Sequence, residues 1–343
     1  MVSGSDAQLV SLDMDEYTEP GEIPVAADDN VAAALMENAR RAPGRAALAY
    51  RDGDRFVDVS TADFATTVRD LAAGLIGLGI EPGDRVGVFM KTRIEFTYLD
   101  YAIWCAGATT VTIYESSSSD QVEWITSDSG AVALICGNAE LHDRFRGVAD
   151  RVPDCRHVFV VDEGGLDQLR AAGADVDPSQ VEERIAGITH DQLATLVYTS
   201  GTTGRPKGCA ITHGNLVWEV RQVVSKMEHL FTPGGSTLMF LPLAHILARV
   251  VQVGCVTRGV KIGFSTGIAQ LVPDLSLFTP TWVFAVPRVF EMVFNTAQGK
   301  AGDGVQRAIF ERATRVAIDY SRESIAGEVS LATRIQHAIF NRV

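Results

Sequence analysis

Positive charge is scarce in this chain. Its 30 lysines and arginines face 43 aspartates and glutamates, a formal net charge of −13 over 343 residues. That balance argues against a nucleic-acid binder. Cysteine is scarce too, with five residues at 105, 136, 155, 209 and 255 and no CxxC pair among them. An odd, scattered set lying mostly inside apolar runs argues against a disulfide framework or a zinc site. It fits buried free thiols in a reducing compartment. No apolar run is long. VVQVGCV (250–256) and AVALIC (131–136) stop well short of the roughly 18 residues that a transmembrane segment needs. The opening MVSGSDAQLVSLDMDEY has neither a basic n-region nor an apolar h-region. No secretory signal is therefore expected, and cytoplasmic residence is the default.

What the chain does have is material for a core. Hydrophobic residues make up 46% and charged residues 21%, the composition of a globular protein with a sizeable interior. At this length two structural units are expected rather than one. The charge is uneven. Between Thr199 and Lys300, nine lysines and arginines meet four acids, a local charge of +5 against −18 for the remainder. One basic region in an acidic protein is suited to anionic ligands.

The first 26 residues are acidic, broken by proline and glycine and without periodicity, and read as an extended lead-in. Asp28 or Asp29 is placed to cap a helix through VAAALMENARR, which APG (42–44) ends. Short strands are expected at AALAYR (46–51) and RFVDVS (55–60). TADFATTVRDLAAGLIGLG (61–79) carries apolar residues at 64, 68, 71, 72, 75 and 76, a helical face closed by Gly79 and Pro82. Strand-like runs (RVGVFM, TTVTIY, AVALIC, HVFVVD) then alternate with helix-like ones. That pattern predicts an α/β fold of mostly parallel sheets flanked by helices. The polar stretch 167–184 reads as a surface helix or a connector. A second α/β stretch begins near ATLVYTS (194–200) and continues through STLMFLPL (236–243) and TWVFAVP (281–287). The tail from Gly302 reads as helical. The expected division is a lead-in (1–26), a first α/β subdomain (27–190) and a second, incomplete one (191–343).

The basic region opens with YTSGTTGRPKG (198–208). A strand candidate precedes it and a helix candidate follows at 212–228, opened by Thr212 or Asn215. Strand–loop–helix is a context in which backbone N–H groups and a helix N-terminus converge on an anion. Gly201, Gly204 and Gly208 permit backbone conformations and close approaches that a side chain would block. Thr199, Ser200, Thr202 and Thr203 add hydroxyl donors, and Lys207 adds a mobile point charge suited to a phosphate. The G-x-x-x-x-G-K-[ST] loop is excluded, because Lys207 lies between Pro206 and Gly208. The G-x-G-x-x-G loop is excluded by the G-x-x-G spacing of Gly201 and Gly204. A plain turn accounts for the glycines and hydroxyls but not for their conjunction with Pro206, Lys207 and Gly208.

This segment resembles the signature phosphate loop of the adenylate-forming superfamily of acyl- and aryl-CoA synthetases, peptide-synthetase adenylation domains and luciferases. THGN (212–215) fits the continuation of that loop. LPLAHILAR (241–249) and AVPRVFEMV (285–293) are similar to segments of the long-chain fatty acyl-CoA synthetase branch. The resemblance runs from about residue 22 onward and covers roughly the first half of a full-length member. It implies the N-terminal subdomains of such an enzyme and a two-step reaction. A fatty-acid carboxylate attacks the α-phosphorus of ATP to give an acyl adenylate and pyrophosphate, and the thiol of CoA then takes the acyl group and releases AMP. It further implies that Thr199, Ser200, Gly201, Thr202, Thr203, Gly204 and Lys207 hold the β- and γ-phosphates, and that Thr199 helps to hold Mg²⁺. His245 would line the place where carboxylate and α-phosphate meet, as the catalytic residue. Arg249 stands where related bacterial enzymes carry an aromatic gate to the acyl tunnel, and could instead pair with a phosphate or a carboxylate. Trp282, Phe284 and Arg288 are candidates for the acyl channel, with plain core packing as the competing reading for the aromatics.

Several family elements have no counterpart in these residues. No aromatic–Gly–x–Thr–Glu run occurs, nor the ribose-gripping Asp expected later, nor the small C-terminal domain with its adenylation lysine. The expectation is therefore the N-terminal portion of a long-chain fatty acid–CoA ligase, inactive by itself, with a long-chain fatty acid and CoA as substrates of the parent. Peripheral membrane contact and a homodimer are compatible with it. The competing readings are a fatty acyl-AMP ligase that loads a carrier protein, and a non-catalytic nucleotide-binding or dimerising fragment.

Overall fold

Two sheets organise the chain as far as Val283, and helices alone follow from Phe284. The computed structural model describes residue 21 and residues 23–199, 205–265 and 267–340. In the smaller sheet, β1 (Ala46–Asp52) and β2 (Arg55–Ser60) form an antiparallel hairpin. The other edge of β1 pairs in parallel with β10 (Lys261–Phe264), and β10 pairs in parallel with β9 (Ser236–Met239).

The larger sheet has the order β6-β5-β3-β4-β7-β8. Its members are β3 (Arg85–Phe89), β4 (Thr109–Ile113), β5 (Ala131–Cys136), β6 (His157–Val160), β7 (Leu193–Thr199) and β8 (Lys207–Thr212). Every pairing is parallel except the last, β7 with β8. Strands β3, β4 and β5 are buried almost throughout, as strands covered by helices on both faces must be. The expected α/β class with mostly parallel sheets is the class observed.

The expected cut at residue 190 does not follow these sheets. β7 and β8 from beyond it extend the larger sheet, and β1 and β2 from before it pair with strands after 235. The reason is that β4 needs a partner along its second edge, and β7 supplies it with Thr110 opposite Thr195.

Helix α1 (Ala33–Arg41) differs in its start. Its first turn is held by Asn30, whose Oδ1 accepts the Ala33 N–H at 3.0 Å. Asp29 is engaged elsewhere, in a two-pronged pair with Arg221 at 2.7 Å on each side. α2 (Thr61–Gly77) begins at a Ser60 cap and buries Phe64, Val68, Leu71, Ala72 and Leu75, the face read from the sequence except for Ile76. α3 (Ile94–Cys105), α4 (Ser119–Ser129) and α5 (Ala139–Arg146) follow β3, β4 and β5 in turn. The polar stretch 167–184 forms two helices, α6 (Gly165–Ala172) and α7 (Pro178–Ala186). α6 packs closely on α2 because position 74 is glycine. A Cβ there would lie 2.0 Å from the Leu169 carbonyl oxygen.

α8 (His213–Lys226) opens in a reciprocal cap, Thr212 with Asn215, so both candidate starts take part. α9 (Ile246–Arg258) and α10 (Leu271–Phe278) complete the first unit. TWVFAVP forms no strand. Among the described residues it makes the single bridge Thr237–Trp282, between a proline at 280 and another at 287.

The second unit contains α11 (Pro287–Lys300), α12 (Val305–Ile325) and α13 (Leu331–Phe340). Phe290, Phe294, Phe310, Val316, His337 and Phe340 line an apolar cavity of about 630 Å³ among them. Among the described residues no helix is long and apolar enough to cross a membrane. All five cysteines are free. Cys105, Cys136 and Cys255 are buried and Cys155 is partly buried, but Cys209 is exposed on the edge strand β8, contrary to the expectation of buried thiols. Burial pushes the Cys136 and Cys155 thiols up to about 12, which keeps them protonated and inert.

Candidate active site

The phosphate-loop segment joins two strands. β7 ends at Thr199, β8 begins at Lys207, and the pair runs antiparallel with Thr199 opposite Lys207 and Tyr198 opposite Gly208. This overturns the expected step from strand directly into helix. α8 begins only after the six residues of β8, so its N-terminus is separated from Lys207 by about 20 Å of extended chain. Ser200, Gly201, Thr202, Thr203 and Gly204 lie outside the described residues. Gly208 serves close approach: a Cβ there would lie 3.0 Å from the Tyr198 ring.

A cavity of about 380 Å³ opens beside this hairpin, walled by Thr199 and Pro206, by Ser117 and Gln121 at the start of α4, and by His245 and Ile246 at the start of α9. Two helix N-termini therefore face the space, and their partial positive charge favours an anion there. Both are built by capping. Ser118 and Gln121 close a reciprocal cap on α4. His245 caps α9, its Nδ1 accepting the Leu247 N–H at 3.3 Å. With Nδ1 occupied as an acceptor, the neutral imidazole carries its proton on Nε2.

The segment before His245 is fixed from the larger sheet. The Thr92 hydroxyl donates to the Leu241 carbonyl and accepts the Leu243 N–H, each at 2.8 Å. The buried Thr112 hydroxyl, on β4, donates to the Ala244 carbonyl at 3.0 Å. Neither threonine belongs to a motif, and no local signal marks them. Their role exists only once β3 and β4 lie beside residues 241–244.

Among the residues singled out from the sequence, the structure brings Thr199 and His245 into one wall. Lys207 adjoins Pro206 on the exposed edge strand, outside that wall. Arg249 is fully buried one turn beyond His245. Its guanidinium grips Asp100 of α3 at 3.0 and 2.5 Å and also donates to the Thr195 hydroxyl on β7. Gln252 donates to the same carboxylate at 3.1 Å and is itself held by Thr97 at 2.8 Å. Of the options open for Arg249, this is the pairing with a carboxylate. Burial pushes Asp100 up and Arg249 down, and the two-pronged pairing opposes both shifts. Trp282 packs edge-on against Phe231 with ring centroids 5.3 Å apart, and its buried indole nitrogen finds no hydrogen-bond partner among the described residues. Phe284 and Arg288 belong to the helical unit, where Arg288 is exposed.

α4 supplies contacts that motif reading missed. The Trp124 indole N–H donates to the Pro206 carbonyl at 2.8 Å, and the Arg205 guanidinium lies 4.5 Å over the same ring. One turn on, Asp128 accepts the Tyr198 hydroxyl at 2.7 Å. Burial and that carboxylate hold the Tyr198 phenol well above its ordinary value. Among the described residues no group of three histidines, cysteines or carboxylates could hold a metal. A Mg²⁺ bound mainly through phosphates and water needs only one or two protein oxygens, and the Thr199 hydroxyl on the cavity wall suits that limited role.

Residues 35–328 match the model of the family described as AMP-binding enzyme. The long-chain-fatty-acid–CoA ligase FadD15 of Mycobacterium tuberculosis is 40% identical over 333 residues, 96% of this chain and 56% of that protein. Long chain acyl-CoA synthetase 7, peroxisomal, of Arabidopsis thaliana is 28% identical over 80% of this chain and 40% of its own length. The chain thus spans about half the length of these relatives. Among solved structures, a long-chain-fatty-acid–CoA ligase (FadD1) from Archaeoglobus fulgidus superposes with a TM-score of 0.69 at 22% identity, over 82% of this chain and 56% of that one, a likeness of fold. The inhibitor-bound N-terminal domain of FACL13 from Mycobacterium tuberculosis gives 0.66 at 25% identity, over 82% and 66%. With the family's match spanning most of the residues and the hairpin, cavity and capped helices in place, the chain belongs to the AMP-binding enzyme family.

Proposed function

We propose that this chain is the N-terminal part of a long-chain fatty acid–CoA ligase. The observation that carries the proposal is the 40% identity with a ligase of that name across 96% of the chain. The geometry supports it, because a phosphate-loop hairpin and two helix N-termini converge on one cavity. In this reading the hydroxyls of the loop and Lys207 hold the β- and γ-phosphates of ATP, and Thr199 offers an oxygen to Mg²⁺, which supplies charge neutralisation at the phosphates. His245 presents an N–H donor beside the α-phosphate, while Thr92 and Thr112 keep its backbone from drifting. The fatty-acid carboxylate attacks the α-phosphorus, pyrophosphate leaves, and the thiol of CoA takes the acyl group from the adenylate. The protein's part is positioning and electrostatic stabilisation, with no covalent link to the substrate. The free thiols fit a cytoplasmic setting.

Fatty-acid-dependent exchange of pyrophosphate into ATP is the test. The parent protein is expected to exchange and then to release AMP when CoA is added. The 343 residues alone are expected to form no thioester. A parent that shows no exchange overturns the proposal, and one that exchanges but passes its acyl group only to a carrier protein makes it an acyl-AMP ligase.

A further inference from the structure

The hairpin that carries the phosphate loop stands at the edge of its sheet, and four of the six residues of β8 are exposed. An edge strand with few buried side chains has little of its own to fix it. Yet the base of the loop is gripped at two points by a single helix. Val122 and Ile125 anchor α4 in the hydrophobic core. Gln121 and Ile125, four residues apart, line the cavity. Trp124 and Asp128, also four apart and so stacked on one face, reach the two strands of the hairpin. Asp128 holds the rising strand through Tyr198, and Trp124 holds the descending one through Pro206 and Arg205.

We infer that Trp124 is a positioning residue for the phosphate loop, latching its descending arm to the helix whose N-terminus walls the cavity. Trp124 is partly buried and packs against that same core, and its polar contacts add a latch to this packing. The latch is one hydrogen bond to a backbone carbonyl plus one guanidinium over the ring, and its two partners, Arg205 and Pro206, are adjacent residues. Proline at 206 contributes, since it has no N–H and a restrained φ, which leaves its carbonyl as the group to hold. The position of Lys207, the next residue, then depends on Trp124.

Trp124→Phe removes the N–H donor and keeps a ring under Arg205, whereas Trp124→Ala removes both. Amide hydrogen exchange of the ligand-free chain, read on peptides covering 205–212, is expected to quicken about five-fold in Trp124→Phe and further in Trp124→Ala, as expected for the loss of one hydrogen bond. Peptides from β3, β4 and β5 are expected to keep wild-type rates. Unchanged exchange at 205–212 in Trp124→Phe overturns the inference, as does a loss of protection spread evenly over the sheet. The second measurement rests on the phosphate-holding reading above. The concentration of MgATP that half-protects the same peptides should rise several-fold in Trp124→Phe, and return toward wild type in Trp124→His, which restores a ring N–H. If MgATP protects nothing in the wild-type chain, the phosphate reading fails, while the ligand-free exchange still decides the latch.

Discussion

Strand β7 has two unlike sides. Toward β4 it meets a parallel neighbour in the interior, where Arg249, Asp100, Thr195 and Gln252 form a polar knot out of reach of water. Toward β8 it meets an antiparallel neighbour that is exposed over most of its length. The candidate site draws on both. His245 sits one turn from the knot, and Thr199 is the last residue of β7, opposite Lys207. A buried polar frame and an exposed strand end are built on one strand, four residues apart at Thr195 and Thr199. The buried pair is costly to desolvate, so its place next to the site is better explained by fixing α9 against β7 than by stability as such.

The largest test of this contrast is Asp100→Ala, which leaves the Arg249 charge buried and unpaired. Urea unfolding should show a loss of about 3–5 kcal/mol. Replacing both partners with apolar side chains (Asp100→Leu with Arg249→Met) should restore most of it, and failure to do so would mean that the knot supplies more than charge balance.

Next in size is the response to acid at the far end of β8. His213 is buried directly after that strand, against the edge of Trp104, and its Nδ1 accepts the Val31 N–H at 3.4 Å. Burial lowers its pKa from 6.5 to about 4. The unfolded chain therefore binds the proton more readily than the folded one, so stability declines as pH falls below 6.5 and the loss is complete below about 4. The shift corresponds to roughly 3 kcal/mol. His213→Asn, which keeps an acceptor in place, should flatten that part of the pH–stability curve. An unchanged slope would assign the acid sensitivity to other groups.

The smallest effect belongs to the exposed side. Tyr198→Phe loses the hydroxyl bond to Asp128, about 1 kcal/mol or less because the carboxylate is free to turn to water. Faster amide exchange should be confined to the two strands of the hairpin, 193–199 and 205–212, and a global loss of stability would erase the distinction between the two sides.

Local pattern exposed much of this. The buried face of α2, the Thr212–Asn215 cap and the alternation of apolar strands with helices are short-range features, and they were legible. The phosphate loop was legible as chemistry but not as geometry. KGCAIT (207–212) is short, made mostly of small side chains and exposed over four of its six residues, and its pairing with β7 makes it a strand. Arg249 could be flagged beside the LPLAH segment, whereas Asp100 lies 149 positions away and carries no motif. Trp124 looked like one more apolar position on a helix, because nothing near it in sequence tells that the Pro206 carbonyl will accept its N–H or that Arg205 will lie over its ring.

The crossing of strands between the two sheets has a consequence for how the chain is made. β1 leaves the ribosome early, yet its parallel partner β10 follows about 200 residues later. At roughly 5–20 residues per second, the β1–β2 hairpin waits on the order of 10–40 s with one edge unsatisfied. During that interval its protection falls to whatever binds nascent polypeptides. Codon choice between 53 and 260 therefore sets how long an adhesive strand edge stays open in the cell.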